Sequence, residues 1–168
     1  MIRAFEGEEP RISESAYICQ TACIIGYVQI GDQSGILPGV VIRGDFASIR
    51  IGRNTFIEDN CVLHCGSPMD IGDNVIVGHG AVLHGRRIGN NTLIGNNATI
   101  LDDSEIGDSC LIGAGCVVST GMKIPDRSFV VGVPGKIRGE VKSGFMKRMA
   151  SGIEVYLELF KKYRKAGI

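Results

Sequence analysis

The chain contains three histidines, His64, His79 and His84, and these are the residues best suited to chemistry. Imidazole nitrogens bind zinc-type cations at about 2.0–2.1 Å, and three of them leave a fourth position open for water. That is the pattern of a catalytic site rather than a structural one. Charged residues stand close by in sequence: Arg43-Gly44-Asp45, and the pair Glu58-Asp59 just ahead of His64. Whether these groups meet in space depends on the repeat that carries them.

From Ile12 to Val130 an aliphatic residue recurs every six positions, making 20 hexads. Ile12 through Ile42 run without interruption. Three extra residues precede Ile51, two precede Ile71 and one is missing before Ile88. Four positions after most of these aliphatics sits a small or β-branched residue, such as Ala22, Val40, Thr55, Cys61 or Ala98. A hexapeptide period marks a parallel β-helix, an all-β solenoid. Three hexads form one triangular coil, so nearly seven coils stack to about 30 Å at a strand spacing of about 4.8 Å. Residues 1–11 read as a lead-in strand or arm, and 12–135 as the solenoid, ending at Gly132-Val133-Pro134-Gly135. Phe145, Met149, Ile153, Tyr156, Phe160 and Tyr163 recur at three- and four-residue steps, which predicts a helix over 142–165 with its apolar stripe against the prism or a neighbouring subunit. The expected division is a β-helix domain over 1–141 and a packed C-terminal α-helix over 142–168.

Register places the polar residues in columns. Ile42, Leu63 and Leu83 are each the third hexad of successive coils, so Arg43, His64 and His84 stack at single-strand spacing. Asp59 and His79 follow Ile57 and Val77 by two residues and form a second column one corner away. Two imidazoles one strand apart can converge on a metal, whereas His79, on another face, reaches it more readily from a neighbouring chain. The geometry predicts a cyclic trimer with three intersubunit metal sites.

Composition narrows the rest. Lys and Arg number 18 and Asp and Glu 18, for a formal net charge of zero, which gives no electrostatic footprint for nucleic acid. Seven of the basic residues follow Glu140, interleaved with Glu154, Glu158 and apolar residues, as on a solvated helix face. MIRAFEGEEP lacks an apolar export core, and no run approaches 18 apolar residues, so neither secretion nor membrane spanning is expected. A cytoplasmic protein with reduced thiols follows. Cys61, Cys110 and Cys116 fall in the small inward slot of the hexad, while Cys19, Cys23 and Cys65 fall outside it and are expected to be more exposed, with a redox role for Cys65 left open. Arg43-Gly44-Asp45 matches a cell-adhesion tripeptide, an accidental match in a chain read as cytoplasmic.

Three stretches carry a family resemblance: Arg43-Gly44-Asp45, Ile57-Glu58-Asp59-Asn60-Cys61-Val62-Leu63-His64, and Gly78-His79-Gly80-Ala81-Val82-Leu83-His84-Gly85. Together they resemble the gamma-class carbonic anhydrase family, many of whose members are labelled only as hexapeptide-repeat transferases. The resemblance implies a left-handed β-helix, a homotrimer and a zinc ion (or Fe2+ or Co2+). It implies that His64 and His84 come from one subunit and His79 from the next. It pairs Arg43 with Asp59 near the subunit interface, with Asp45 in the same network, and makes CO2 and bicarbonate the substrates. Tyr156 resembles a helix tyrosine that lines the pocket in some relatives. The chain also departs from the family. Glu58 stands where many members have Gln, Phe56 stands near where the founding type has Asn, and only Cys65–Asp70 separates His64 from the next hexad, without that type's acidic proton-relay loop. Two alternatives stay open: an acyl-CoA transferase on the same scaffold, and a weakly active metal-binding scaffold trimer.

Overall fold

The computed structural model describes residues 1–167. Their backbone winds as a left-handed parallel β-helix of about seven turns, followed by one α-helix, Phe145–Ala166. Alternation explains the winding. Within each hexad the aliphatic residue points inward, and Ile24, Ile36, Ile42, Ile57, Leu63, Val77, Leu83 and Ile94 are fully buried in one continuous core. Each such side chain contributes about 1.5–3 kcal/mol by leaving water. Buried hydroxyls in the small slot bond to the next coil: Ser34 donates to the Gly52 carbonyl at 2.6 Å and Thr55 to that of Gly72 at 2.8 Å. Corners turn through residues at positive φ, among them Asn54, Asn74 and Asn91, whose side chains form a hydrogen-bonded ladder. Asparagine tolerates that conformation better than most residues.

The three faces differ in what covers them. One runs from Tyr17–Ile18 through Phe56–Ile57 and Ile76–Val77 to Ser128–Val131 as an eight-stranded sheet. It ends in an antiparallel return, Lys136–Glu140, whose exposed charged residues protect the edge. The helix lies on this face. Phe160 stacks on Tyr17 with ring centroids 4.8 Å apart, and Phe145 and Met149 are buried alongside Phe56 and Ile76. The other two faces form one twelve-stranded sheet, because the strands Cys23–Ile30 and Val41–Ile51 run unbroken around their shared corner.

The insertions and the deletion are absorbed at the corners. Ile42 pairs with Leu63, Ile51 with Ile71 and Ile71 with Ile88 on one side, and Val77 with Ile94. The N-terminal arm is also incorporated: Ile2–Arg3 pairs with Ile24–Ile25. The helix begins at Phe145, slightly later than the periodicity predicts. None of the described helices is long and apolar enough to cross a membrane.

Two expectations about thiols need correction. All six cysteines are free, but Cys65 is 1% exposed and Cys19 6%. Cys65 continues the in–out alternation after Leu63 and His64 and so points into the core. Cys19 points outward, yet it lies beneath the helix in the second apolar cluster. Only Cys23 keeps partial exposure. Burial pushes the Cys65 thiol up to about 11, against the reactive thiolate form that a redox role needs.

Candidate metal centre

The first cluster forms at the shared corner of the long strands. Gly44 allows that corner to close: a Cβ there would sit 2.8 Å from the Tyr27 carbonyl carbon, closer than any real side chain comes. The Arg-Gly-Asp tripeptide is therefore a packed corner whose glycine is required by close backbone approach. On either side of Gly44, Arg43 Nη1 donates to Asp45 Oδ2 at 2.5 Å, and the other oxygen of Asp45 lies 3.1 Å from His64 Nε2. His64 ends the strand Val62–His64 in register with Arg43. One coil further on, His84 follows Val82–Leu83, which pairs with Val62–Leu63. The two imidazole centroids are 5.4 Å apart with planes at 79°, so the predicted column exists. His84 Nδ1 lies 3.4 Å from Asp102 Oδ1.

The second cluster lies at the corner beside the helix-covered face. Ile76–Val77 pairs with Phe56–Ile57, which sets His79 over Asp59. His79 Nδ1 is 2.9 Å from Asp59 Oδ2, and its Nε2 is 3.0 Å from Glu58 Oε2. The backbone N–H of His79 also donates to Glu58 Oε2, at 3.2 Å. Glu58 is buried, and its second oxygen accepts a hydrogen bond from the Tyr156 hydroxyl. The Tyr156 ring rests on Phe56 with centroids 4.9 Å apart, so helix packing fixes the donor that holds the carboxylate. Burial, then the hydrogen bond to Glu58, raises the pKa of the Tyr156 phenol and keeps it protonated as a donor.

Within one chain the expected site residues thus form two groups: Arg43, Asp45, His64 and His84 at one corner, and Glu58, Asp59, His79 and Tyr156 at another. Arg43 pairs with Asp45 and not with Asp59, so the pair the resemblance implies does not form inside a protomer. Among the described residues no three His, Cys, Asp or Glu groups of one chain gather where they could hold a metal ion. Sequence reasoning passed over two participants. Asp102 could have been found by following the His84 column one coil further, to the residues after Ile100. Phe46, 76% exposed with its ring 5.2 Å from His64, gave no periodic signal.

The carboxylate beside each imidazole fits a metal ligand, since such a histidine generally gives its other ring nitrogen to a carboxylate, a backbone carbonyl or water. His64 meets Asp45, His84 meets Asp102 and His79 meets Asp59. His64 and His84 each keep one nitrogen without a carboxylate partner. For His79, Nε2 would have to leave Glu58.

Residues 87–120 match the family of bacterial transferase hexapeptide (six repeats). A Methanocaldococcus jannaschii protein named a probable carbonic anhydrase is 49% identical over 150 residues, spanning 88% of this chain and 94% of that one. The chain belongs to the gamma-class carbonic anhydrase family of hexapeptide-repeat proteins. A protein of Geobacillus kaustophilus named carbonic anhydrase is 40% identical over 95 residues, covering 55% of this chain and 52% of its own length. Among solved structures, a Bacillus cereus protein described as an acetyltransferase superposes with a TM-score of 0.94 at 35% identity, covering 98% of this chain and 97% of its own.

Proposed function

We propose that three copies of this chain assemble around a three-fold axis, and that each seam holds a divalent metal between His64 and His84 of one chain and His79 of the next. The assembly hydrates CO2 reversibly to bicarbonate. The observation that carries this reading is the split itself: two matched histidine clusters on different corners, each imidazole backed by a carboxylate, and neither cluster sufficient alone. The relatives named as carbonic anhydrases support the same activity. Zinc suits the three-imidazole set, and Fe2+ or Co2+ suits it as well.

Bound there, the metal supplies a hydroxide nucleophile at neutral pH, because it lowers the pKa of water to about 7, a value borrowed from a zinc carbonic anhydrase. The protein's part is orientation and charge. Asp45, held by Arg43, fixes the His64 ring, and Asp59 fixes that of His79. Arg43 also has guanidinium donors beyond the one given to Asp45, and Asp59 of an adjoining chain is the acceptor the family resemblance assigns to them. Glu58, the buried carboxylate beside His79 and held by Tyr156, serves as the general base. It accepts the proton that hydration releases once His79 turns toward the seam.

Metal analysis and stopped-flow CO2 hydration, run on wild type and His79→Ala, test the proposal. Bound metal and turnover in wild type, both lost in the variant, are expected; full activity in His79→Ala contradicts it. The acetyltransferase description of the Bacillus cereus protein motivates a second arm. Acetyl-CoA binding by metal-free protein, with no CO2 hydration by the metal-loaded form, would favour the transferase reading.

A further inference from the structure

The face that carries neither the helix nor a histidine cluster presents a column of charges in strict register. Arg50 pairs with Asp70, Asp70 with Arg87, Arg87 with Glu105 and Glu105 with Lys123. Signs alternate at every rung, the arrangement in which cross-strand neighbours stabilise one another. Arg50 Nε donates to Asp70 Oδ1 at 2.6 Å, and Lys123 Nζ lies 3.5 Å from Glu105 Oε1. Toward the N-terminus the alternation breaks. The rung before Arg50 is Gln29, and the rung before that is Arg11. Two guanidinium groups therefore flank a neutral amide at the position where the pattern calls for an acid.

A cleft of about 550 Å³ opens at this rung, with Arg11, Gln29 and Arg50 on its wall. The carboxylates nearby are already engaged: Asp32 accepts from the Ser13 hydroxyl at 2.5 Å, and Asp73 accepts from Arg53 Nε at 3.0 Å. Arg11 and the Gln29 side chain take part in neither pair, and Arg50 spends only Nε on Asp70. Guanidinium forks recognise oxyanions through paired, charge-assisted hydrogen bonds.

We propose that this rung binds a small oxyanion of the phosphate class, which takes the place of the missing acid. One oxygen lies between the Arg11 guanidinium and the unused Nη donors of Arg50, and a second accepts a hydrogen bond from the Gln29 amide. The site is separate from both histidine clusters, on the outer side of the prism, and it does not depend on the proposed metal chemistry.

Equilibrium dialysis with labelled inorganic phosphate, against sodium chloride at equal ionic strength, tests it on the full chain. Saturable binding is expected in wild type and, unchanged, in His79→Ala, which separates this site from the histidine seam. Arg11→Gln should weaken binding about tenfold. Gln29→Glu should abolish it and raise the melting temperature in phosphate-free buffer, because the new carboxylate completes the ladder. Binding that is absent, that does not saturate, that persists in Gln29→Glu or that disappears in His79→Ala overturns the proposal, as does a Gln29→Glu protein that melts no higher than wild type.

Discussion

The two histidine corners are built differently. At the corner of His64 and His84, two rings meet edge to face with centroids 5.4 Å apart, and their side chains are 14% and 34% exposed. At the other corner a single ring, His79, is 52% exposed and held between two carboxylates, with the buried Glu58 braced by the helix through Tyr156. One corner is thus a preorganised pair and the other a presented arm. That asymmetry is what a shared site needs: rigid ligands that receive and an exposed ligand that reaches across. Both arise from one repeat, because Leu63 and Leu83 lie on one face of the prism and Ile57 and Val77 on the face before it, so the polar residues that follow them fall at adjacent corners.

The difference can be broken at several levels. The largest effect is expected for His79→Ala. Bound metal should disappear and kcat/KM for CO2 should fall by more than about a hundredfold, while the melting temperature moves little because the ring is half-exposed and fills no part of the core. Asp45→Asn comes next. It loosens the His64 ring and leaves Arg43 without its anion, so metal affinity measured by chelator competition should drop about 10- to 100-fold. Tyr156→Phe tests the brace behind the presented arm. Losing the hydroxyl donor to a buried carboxylate should cost about 1–3 kcal/mol in denaturant unfolding, and turnover should fall while metal content is kept.

The smallest effect at neutral pH concerns Cys61, fully buried beneath the presented arm. Burial raises its thiol from the usual 9.0 to about 11. A thiol held protonated by the fold contributes stability that is complete below pH 9, declines between pH 9 and about 11, and is gone above that. Alkylation at pH 8 should therefore be slow in native protein and fast in urea. Cys61→Ala should flatten the loss of stability across that alkaline window.

Most of the scaffold was legible because the hexad fixes inside and outside at each position. With the insertions before Ile51 and Ile71 absorbed at corners, Arg43, His64 and His84 stay in one column, and the strand pairing bears this out. The helix stripe of Phe145, Met149 and Phe160 was legible for a similar reason, as burial follows the three-and-four spacing. Periodicity does not reveal what lies above an outward residue, however. Cys19 is outward in the repeat and still buried, because the helix covers it. Side-chain partners were also hidden. Register puts Arg43 near Asp45, but only the corner at Gly44 decides that the guanidinium turns to it. Asp102 approaches His84 from one coil above, and a hexad count stopped at the histidines passes over it.

The shared seam can be tested most directly by coexpressing His64→Ala and His79→Ala chains in equal amounts. Neither variant alone should bind metal. On the proposed arrangement every mixed trimer regains one intact seam, so about a quarter of all seams in a random mixture should recover both metal and CO2 hydration. Mixtures as inactive and metal-free as the separate variants would show that the three imidazoles do not come from two chains.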